Sequence, residues 1–259
     1  MSRRHAMVVG LVAVLIGFGA GAVGAAEELE SLVKKVDAKI YYPQKAGLRS
    51  LQADVESSRL AEQLKDAPEA KNVKVTFYWA EPYKQRFVVS GAPDSMADQV
   101  QRIEGQMAMW GERMVPKPLA LTLADYKCTV GEDEKTFSID AQAKAADARI
   151  PSMKYTIDKK ALLPTRWHIE TANWSADVDI KYEPVGEGQS LPAEMKAKAD
   201  QNDLTIGLKY KKVEKWTLPE SLSVKFVGGD GNERTTTLKL SNYKLNQPIP
   251  ANVFPESQK

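Results

Sequence analysis

The sequence has few of the residues that carry most enzyme chemistry. It contains one cysteine, Cys128, and two histidines among 259 residues. A single cysteine excludes an internal disulfide, so the core must hold the fold by itself. His168 is the only histidine after residue 26. One histidine and one cysteine fall short of the three or four ligands of a zinc site, and they leave a histidine-based triad without its other members. We therefore predict a protein that is not an enzyme and that needs no metal and no other cofactor.

Neither sign of charge predominates. Lysine and arginine number 36, aspartate and glutamate 34, and the formal net charge is +2. A nucleic-acid partner requires a basic field, which this balance does not provide, so we predict no nucleic-acid binding. The balance also gives no support for electrostatic attachment to a membrane.

Long apolar runs are missing except for one short stretch at the N-terminus. Arg3 and Arg4 form a positive start, residues 6–21 are apolar, and small residues follow at 24–26 before acidic Glu27. This order is typical of a cleavable secretory signal peptide. The apolar stretch is short and glycine-rich for a membrane span of ~20 residues, which favours cleavage over an uncleaved anchor. We predict cleavage near Ala26 and a periplasmic mature protein, and with no cysteine at that point the chain is not itself a lipoprotein.

The mature sequence opens with an amphipathic pattern and then changes period. Residues 27–42 carry apolar side chains at three- and four-residue spacing with lysines and Asp37 between them, which predicts a helix ended by Pro43 and Gly47. Beyond it, apolar and polar residues alternate, most clearly from Trp174 to Tyr182. This alternation is typical of antiparallel strands with one wet face, and we count about eleven of them.

Two irregularities mark the strand pattern. The phase slips by one residue at Ser241-Asn242, which predicts a β-bulge. The dipeptide Leu-Pro recurs at 163–164, 191–192 and 218–219. Proline is tolerated at the first residue of a strand, so we predict that each dipeptide begins a strand of a meander.

One segment interrupts the strands with helical spacing. Met96, Val100, Ile103, Met107 and Trp110 are separated by four, three, four and three residues, which places them on one face of a helix at 95–110. Ser95 with Asp98 resembles a capping box and Gly111 a helix stop. Methionine is concentrated here, and its flexible side chain suits surfaces that bind variable apolar shapes. The helix could equally be plain core.

These patterns predict a mainly β protein in a single domain at 27–259. A large one-sided sheet must have its apolar face covered, and curling into an incomplete β-barrel achieves this while leaving room for a ligand. We expect the N-terminal helix and the inserted helix to cover the concave face. The predicted ligand-binding residues lie on the apolar phase of the strands and on the helix face: Val75, Phe77, Trp79, Phe87, Met96, Val100, Ile103, Met107, Trp110, Trp167 and Trp174.

Other candidate sites have plainer interpretations. His168 lies on the polar phase of its strand, as a solvated surface residue would. Cys128 alternates with apolar neighbours, which favours a buried structural thiol. The glycine-rich segment 228–232 lies between two strand patterns and does not open a helix, so we interpret it as a hairpin loop.

Several motifs resemble the LolA-like family of periplasmic carrier and sorting proteins for outer-membrane lipoproteins. Residues 46–55 are similar to the family's first strand, and residues 79–87 to its aromatic hairpin with a proline turn. Residues 155–166 look like a later strand, an aspartate turn and a Leu-Pro strand start, and residues 241–255 resemble the C-terminal ending. The methionine-rich helix departs from the family, which usually has an Asp-Gly turn and an aromatic strand there.

The resemblance implies an incomplete antiparallel barrel whose helices close an apolar cavity for acyl chains. It implies a carrier of lipid or lipidated protein, with membrane-bound donor and acceptor proteins as further partners. An envelope sensor or partner-binding module on the same scaffold is the alternative, and an exposed apolar patch outside the cavity would favour it. A hydrolase with a carboxylate site is a third possibility, which clustered acids on the concave face would favour.

The signal-peptide interpretation predicts the N-terminus of the exported protein. We expect N-terminal sequencing to begin at or near Glu27, because a positive start, an apolar stretch and small residues before the cleavage point are all present. An exported chain that keeps Arg3 and sediments with membranes would contradict this prediction.

Overall fold

The structure is a computed structural model that describes residues 19–64, 72–199, 202–229 and 231–254. In that part of the chain, twelve strands form one antiparallel sheet, in the order β3-β2-β1-β12-β11-β10-β9-β8-β7-β6-β5-β4. The edges, β3 and β4, do not pair with each other, so the sheet stays open. The predicted fold class, a curled antiparallel sheet forming an incomplete barrel with covering helices, is confirmed, with twelve strands in place of about eleven.

The bounds of the elements follow the chain. The helices are α1 (Gly19–Lys39), α2 (Ser58–Leu64), α3 (Ala97–Met114) and α4 (Leu119–Leu123). The first six strands are β1 (Ser50–Ser57), β2 (Lys74–Ala80), β3 (Lys84–Ser90), β4 (Tyr126–Glu132), β5 (Thr136–Ala143) and β6 (Ser152–Asp158). The others are β7 (Pro164–Glu170), β8 (Ser175–Gly186), β9 (Gln189–Ala199), β10 (Asn202–Val213), β11 (Trp216–Val227) and β12 (Glu233–Leu245).

Strand alternation in the sequence becomes burial on one face of the sheet. In β2, Val75, Phe77 and Trp79 are buried while the residues between them are more exposed. Successive side chains of a strand point to opposite faces, so this pattern gives the sheet one apolar and one polar surface. The loop at 228–232 joins β11 to β12 as predicted, and the Gly228 amide donates to the Asn232 carbonyl.

The Leu-Pro dipeptides mark β-bulges. Only the dipeptide at 163–164 stands at a strand start; those at 191–192 and 218–219 lie at the third and fourth residues of β9 and β11, so that prediction is wrong for two of three. In all three, the residue after the proline is skipped by the pairing register. A proline has no N–H for the ladder, so a strand carries it best at such an irregularity.

Tyrosine hydroxyls of neighbouring strands donate hydrogen bonds to the proline carbonyls at two of these bulges. The Tyr210 hydroxyl donates to the Pro192 carbonyl at 2.8 Å, and the Tyr243 hydroxyl donates to the Pro219 carbonyl at 2.5 Å. The bulge predicted in β12 is confirmed: the register shifts opposite Ala53, and Asn242 has a positive φ of 51°. Bulges bend strands and increase their twist, so these four irregularities favour a curled sheet.

The inserted helix was predicted at 95–110, and in the structure it begins at Ala97 and ends at Met114. A short 3-10 turn at Asp94–Met96 precedes α3, and no side chain caps its first turn, so the predicted capping box is wrong. The helix also continues through Gly111 to Met114 instead of stopping. A Cβ at Gly111 would lie 3.2 Å from the Phe87 ring, so this glycine serves close helix–strand packing.

The N-terminal helix also differs from the prediction. It begins at Gly19, inside the segment interpreted as a signal peptide, and ends at Lys39 instead of residue 42. Ile40 then bridges to Ser190 of β9, and Pro43–Ala46 form a 3-10 turn. Residues 1–18 lie outside the described residues, and the signal peptide stays a prediction. Among the helices described, none combines the length and apolar character needed to cross a membrane.

Asp37 holds α1 against α4. The sequence places it among the polar residues of α1, yet it is buried. Its carboxylate accepts hydrogen bonds from the Tyr42 hydroxyl at 2.6 Å, the Leu119 amide at 2.9 Å and the Ala120 amide at 3.2 Å. It therefore satisfies two orphan amides in the first turn of α4, as a capping residue would, but from another helix.

The core is divided in two. One cluster contains buried residues of α3, of β1–β3 and of β7–β12. The other contains buried residues of α1, α4, β5 and β6, with β4 packed against it. Ile150 and Trp167 pack against both clusters. The two clusters therefore meet near β6 and β7.

Replacing Asp37 by alanine tests its role as the link between the two helices. We expect the free energy of unfolding to fall by about 3 kcal/mol, because a buried hydroxyl and two amides lose their acceptor. Chemical denaturation measures this. Asp147→Ala, in an exposed loop, is the matched control and should stay within about 0.5 kcal/mol of the parent. Equal stability of the two variants would contradict the assigned role.

Candidate functional site

The concave face holds a cavity of about 720 Å³, which we call the central cavity. It is bounded by α3 and the segment after it on one side and by β5–β9 on the other. Its volume falls within the range of about 300–1,000 Å³ that is usual for ligand sites. Most of its lining is apolar or aromatic, and includes Ile40, Ile150, Met153, Tyr155, Pro164, Trp167, Ile180, Tyr182 and Met195.

A second cavity of about 340 Å³, the side cavity, adjoins the central one. Arg113, Trp167 and Met195 line both, so they form the boundary between them. The rest of the side cavity is apolar sheet surface from β7 to β11. Trp174 and Phe226 stand at its rim and are 48% and 39% exposed. The two cavities therefore lie side by side on the concave face, with most of their combined lining apolar or aromatic.

A third cavity of about 280 Å³ lies on the other side of α3, against α2 and β12. We call it the helix cavity. Ile103, Met107 and Trp110 line it together with Leu60 and Leu238.

Some of the predicted ligand-binding residues line a cavity, and others lie in the core. Four strand residues are fully buried in the core under α3 and line none of the cavities described: Val75, Phe77, Trp79 and Phe87. The Phe77 and Phe87 rings pack at 4.9 Å, as core residues do. Trp167 lines the central and side cavities, and Trp174 the side cavity.

The predicted ligand-binding residues of α3 also differ in whether they line a cavity. Ile103, Met107 and Trp110 line the helix cavity, whereas Met96 and Val100 line none of the cavities described. The helix face is thus mostly packed on β3, and ligand contact by any of the eleven residues stays a prediction.

Arg113 is the most unusual residue of the site. It lies in the last turn of α3, with its guanidinium carbon 5.1 Å from the centre of the Trp167 ring. Within the part of the chain that the structure describes, it makes no ion pair and no hydrogen bond. Burial lowers its pKa, and the charge of Glu112 opposes that shift. A guanidinium remains charged in proteins, so a cation stands at the boundary of the two cavities.

Three tyrosines of the central cavity stay neutral. Burial raises the pKa of Tyr83, Tyr155 and Tyr182, in each case as the largest cause. Their hydroxyls make no hydrogen bond to any described residue. Tyr155 stacks on Trp167 with ring centres 5.8 Å apart and the planes almost parallel. The cavity therefore carries hydrogen-bond donors on aromatic walls.

Sequence reasoning missed the most polar part of the site. Arg113 lies three residues beyond Trp110, on the extension of the helix that Gly111 was predicted to end. Extending the helical spacing by one turn would have found it. Tyr155 lies in β6 and Tyr83 in the turn between β2 and β3. Strand alternation assigns a face to a residue and gives no depth, so it did not place either tyrosine in a cavity.

Residues set aside by the sequence analysis lie away from the cavities. His168 pairs with Asp177 across β7 and β8, Nδ1 to Oδ1 3.1 Å, on the polar face. Cys128 is half-buried in β4 and packs against the cluster under α1. Among the described residues, no group of three or more His, Cys, Asp and Glu side chains is placed to hold a metal ion.

Comparison with known proteins finds distant structural likenesses. A lipoprotein-sorting protein domain from Vibrio parahaemolyticus is 11% identical, covers 86% of this chain and 94% of its own, and has a TM-score of 0.38. A DUF1329 family protein from Desulfovibrio piger is 9% identical, covers 88% and 97%, and has a TM-score of 0.38. A LolA superfamily protein from Nitrosomonas europaea is 9% identical, covers 88% and 97%, and has a TM-score of 0.34.

Two of these names agree with the family that the sequence motifs resemble. Likenesses of this size do not establish what the chain binds. No protein-family model and no curated protein matches the sequence.

The environment of Cys128 predicts slow thiol chemistry. Burial raises its pKa above the ordinary range, and the nearby charge of Lys144 offsets this only in part. Since the thiolate is the reactive form, we expect alkylation of the folded protein by iodoacetamide to be slower at pH 8 than in denaturant, and to reach half its maximal rate at a higher pH. Equal rates and midpoints in the two states would contradict this prediction.

Proposed function

We propose that this chain is a non-catalytic periplasmic carrier or binder of lipid or lipidated protein, which takes part in the sorting of outer-membrane lipoproteins. The observation that carries the proposal is the pair of adjoining, mostly apolar cavities on the concave face, the central and side cavities, which share Arg113, Trp167 and Met195 in their linings. The acyl chain of the ligand lies in these cavities. The sequence motifs shared with the LolA-like family support the same assignment.

The physical need for such a protein follows from acyl-chain hydration. Exposing each methylene to water is unfavourable by about 0.8 kcal/mol, so a lipid chain cannot cross an aqueous compartment without cover. A carrier requires a dry volume and a route of entry, and no reacting groups. The cavities supply the volume, and the exposed rim at Trp174 and Phe226 supplies the route by which membrane-bound donor and acceptor proteins exchange the ligand.

The distribution of exposed apolar side chains favours a carrier over a partner-binding module. Four large apolar residues are exposed in the described part of the chain: Met109, Leu121, Trp174 and Phe226. Three of them border a cavity, which leaves Leu121 by itself. A docking surface for a protein partner would need a contiguous apolar patch away from the cavities.

Filling the central cavity should abolish ligand binding. Ile180 lines it, while the next residue, Lys181, is exposed on the opposite face of β8. We expect Ile180→Trp to weaken binding of a fluorescent fatty acid and of a triacylated lipopeptide by about tenfold or more, because the indole occupies the space of the chain. Fluorescence titration measures both affinities.

Lys181→Trp is the matched control, since it adds the same side chain to the same strand outside the cavity. It gives up a surface ion pair with Glu194, which contributes little. Equal affinities of the two variants would place the acyl chain elsewhere. No binding of either ligand by the parent protein, together with no lipid in mass spectra of the purified protein, would contradict the proposed function itself.

A further inference from the structure

Arg113 has no evident structural role that requires its charge. Its guanidinium carries five N–H donors, and none of them reaches an acceptor in the described part of the chain. The guanidinium contacts the Trp167 ring through its flat face and its positive charge. This contact uses none of its N–H donors. Placing an unpaired charge among apolar residues is unfavourable. The folded protein alone therefore gains little from an arginine here.

Further unpaired donors lie on the same stretch of wall. The Trp167 indole N–H and the Tyr83 hydroxyl are buried without a hydrogen-bond partner. Both residues line the central cavity, as Arg113 does. Arg113 is near enough to Tyr83 and Tyr155 for its charge to lower the pKa of both hydroxyls, against the larger effect of burial. The Gln85 Oε1, which lines the same cavity, is a buried acceptor without a partner, so the donors outnumber the acceptors among these unmade hydrogen bonds. An excess of unpaired donors beside a guanidinium suits a ligand that supplies acceptors.

The charges around the central cavity favour an anion at this point. Three cations line it, Arg113, Lys117 and Lys144, against two carboxylates, Glu112 and Asp125. Two of the cations have other contacts. Lys144 donates to the Ala124 carbonyl at 2.7 Å, and Lys117 lies 6.0 Å from the centre of the Tyr83 ring. Arg113 is the cation at the boundary with the side cavity.

We propose that Arg113, with the Tyr83 hydroxyl and the Trp167 indole N–H, binds the anionic head of an acyl ligand, a carboxylate or a phosphate. The assignment rests on the proposed function and adds the class of its ligand: an amphiphile with one anionic group, instead of any apolar chain. The anionic head lies at the boundary of the two cavities. The acyl chain extends from it into the central cavity, the side cavity or both. Charged hydrogen bonds in such a dry site are stronger than neutral ones.

The test compares ligands that share a chain and differ in the head. Hexadecanoate represents a free fatty acid, 1-palmitoyl lysophosphatidic acid represents a phospholipid phosphate, and hexadecanol is the neutral reference. Each displaces a neutral pyrene-labelled alcohol from the protein, below its critical micelle concentration. Inorganic phosphate alone should displace nothing, since it brings no apolar chain. We expect at least one of the anionic ligands to bind about tenfold or more tightly than hexadecanol.

The preference should depend on Arg113. In Arg113→Met the anionic ligand and hexadecanol should bind within about twofold of each other. Arg102→Met, which removes an exposed arginine from the same helix, should retain the parental preference. Thermal unfolding of the ligand-free Arg113→Met should occur at the parental temperature or above, since the variant loses a partly buried charge that has no ion pair among the described residues.

Tyr83→Phe and Trp167→Phe extend the test, because each removes one donor and keeps an aromatic ring. Each should reduce severalfold the ratio of the affinity for the anion to the affinity for hexadecanol, both measured on the same variant. A parent protein that binds hexadecanol and the anions equally would overturn the anion site and leave the carrier function standing. A preference that persists in Arg113→Met, or that survives both aromatic variants, would also overturn it. Failure of every ligand to bind the parent would reject the carrier function and this site with it.

Discussion

The structure depends on one geometric constraint: a twelve-stranded sheet with a single apolar face has more surface to cover than its helices can reach. An apolar sheet face must be buried against another layer. Here α3 covers one part and α1 with α4 another, and each builds its own core cluster. The central cavity lies where the two covers meet, since the end of α3 and the residues of α4 both line it. It therefore occupies the part of the concave face that the helices border without filling.

The lining of that cavity combines apolar walls with unpaired hydrogen-bond donors. Apolar and aromatic walls lower the free energy of a hydrocarbon chain, while unpaired donors at Arg113, Tyr83 and Trp167 raise the free energy of the empty protein. A site of this kind gives up some stability in the ligand-free state and recovers it when a matching ligand arrives. Such a trade between stability and function is common where a site must stay available.

The sequence predicted the parts of the fold that follow from local rules. Two-residue alternation placed the strands, and a one-residue phase slip at Ser241-Asn242 located a bulge. It did not predict what depends on distant contacts. Asp37 looked like a surface residue of α1, because the two α4 amides that donate to its carboxylate lie more than eighty residues away in the sequence. Gly111 looked like a helix stop, because the Phe87 ring that needs the missing Cβ belongs to another element.

The candidate site was predicted less well, for the same reason. Alternation correctly put Val75, Phe77 and Trp79 on the apolar face, yet it could not tell the part of that face covered by α3 from the part left open. Depth depends on where the helices lie, and that is a property of the assembled fold. The Leu-Pro dipeptides were read as strand starts, whereas their common feature is the bulge that follows each proline.

The two free edges of the sheet are also consecutive strands of the chain. β3 and β4 lie at opposite ends of the strand order, and the segment from Gly91 to Asp125, with α3 and α4, is the only covalent path from one to the other that avoids the sheet. Any change in the curvature of the sheet alters the separation of β3 and β4, so this segment must rearrange with it. Arg113 belongs to this segment, at the end of α3. The candidate site therefore lies on the part of the chain that a change in curvature would displace.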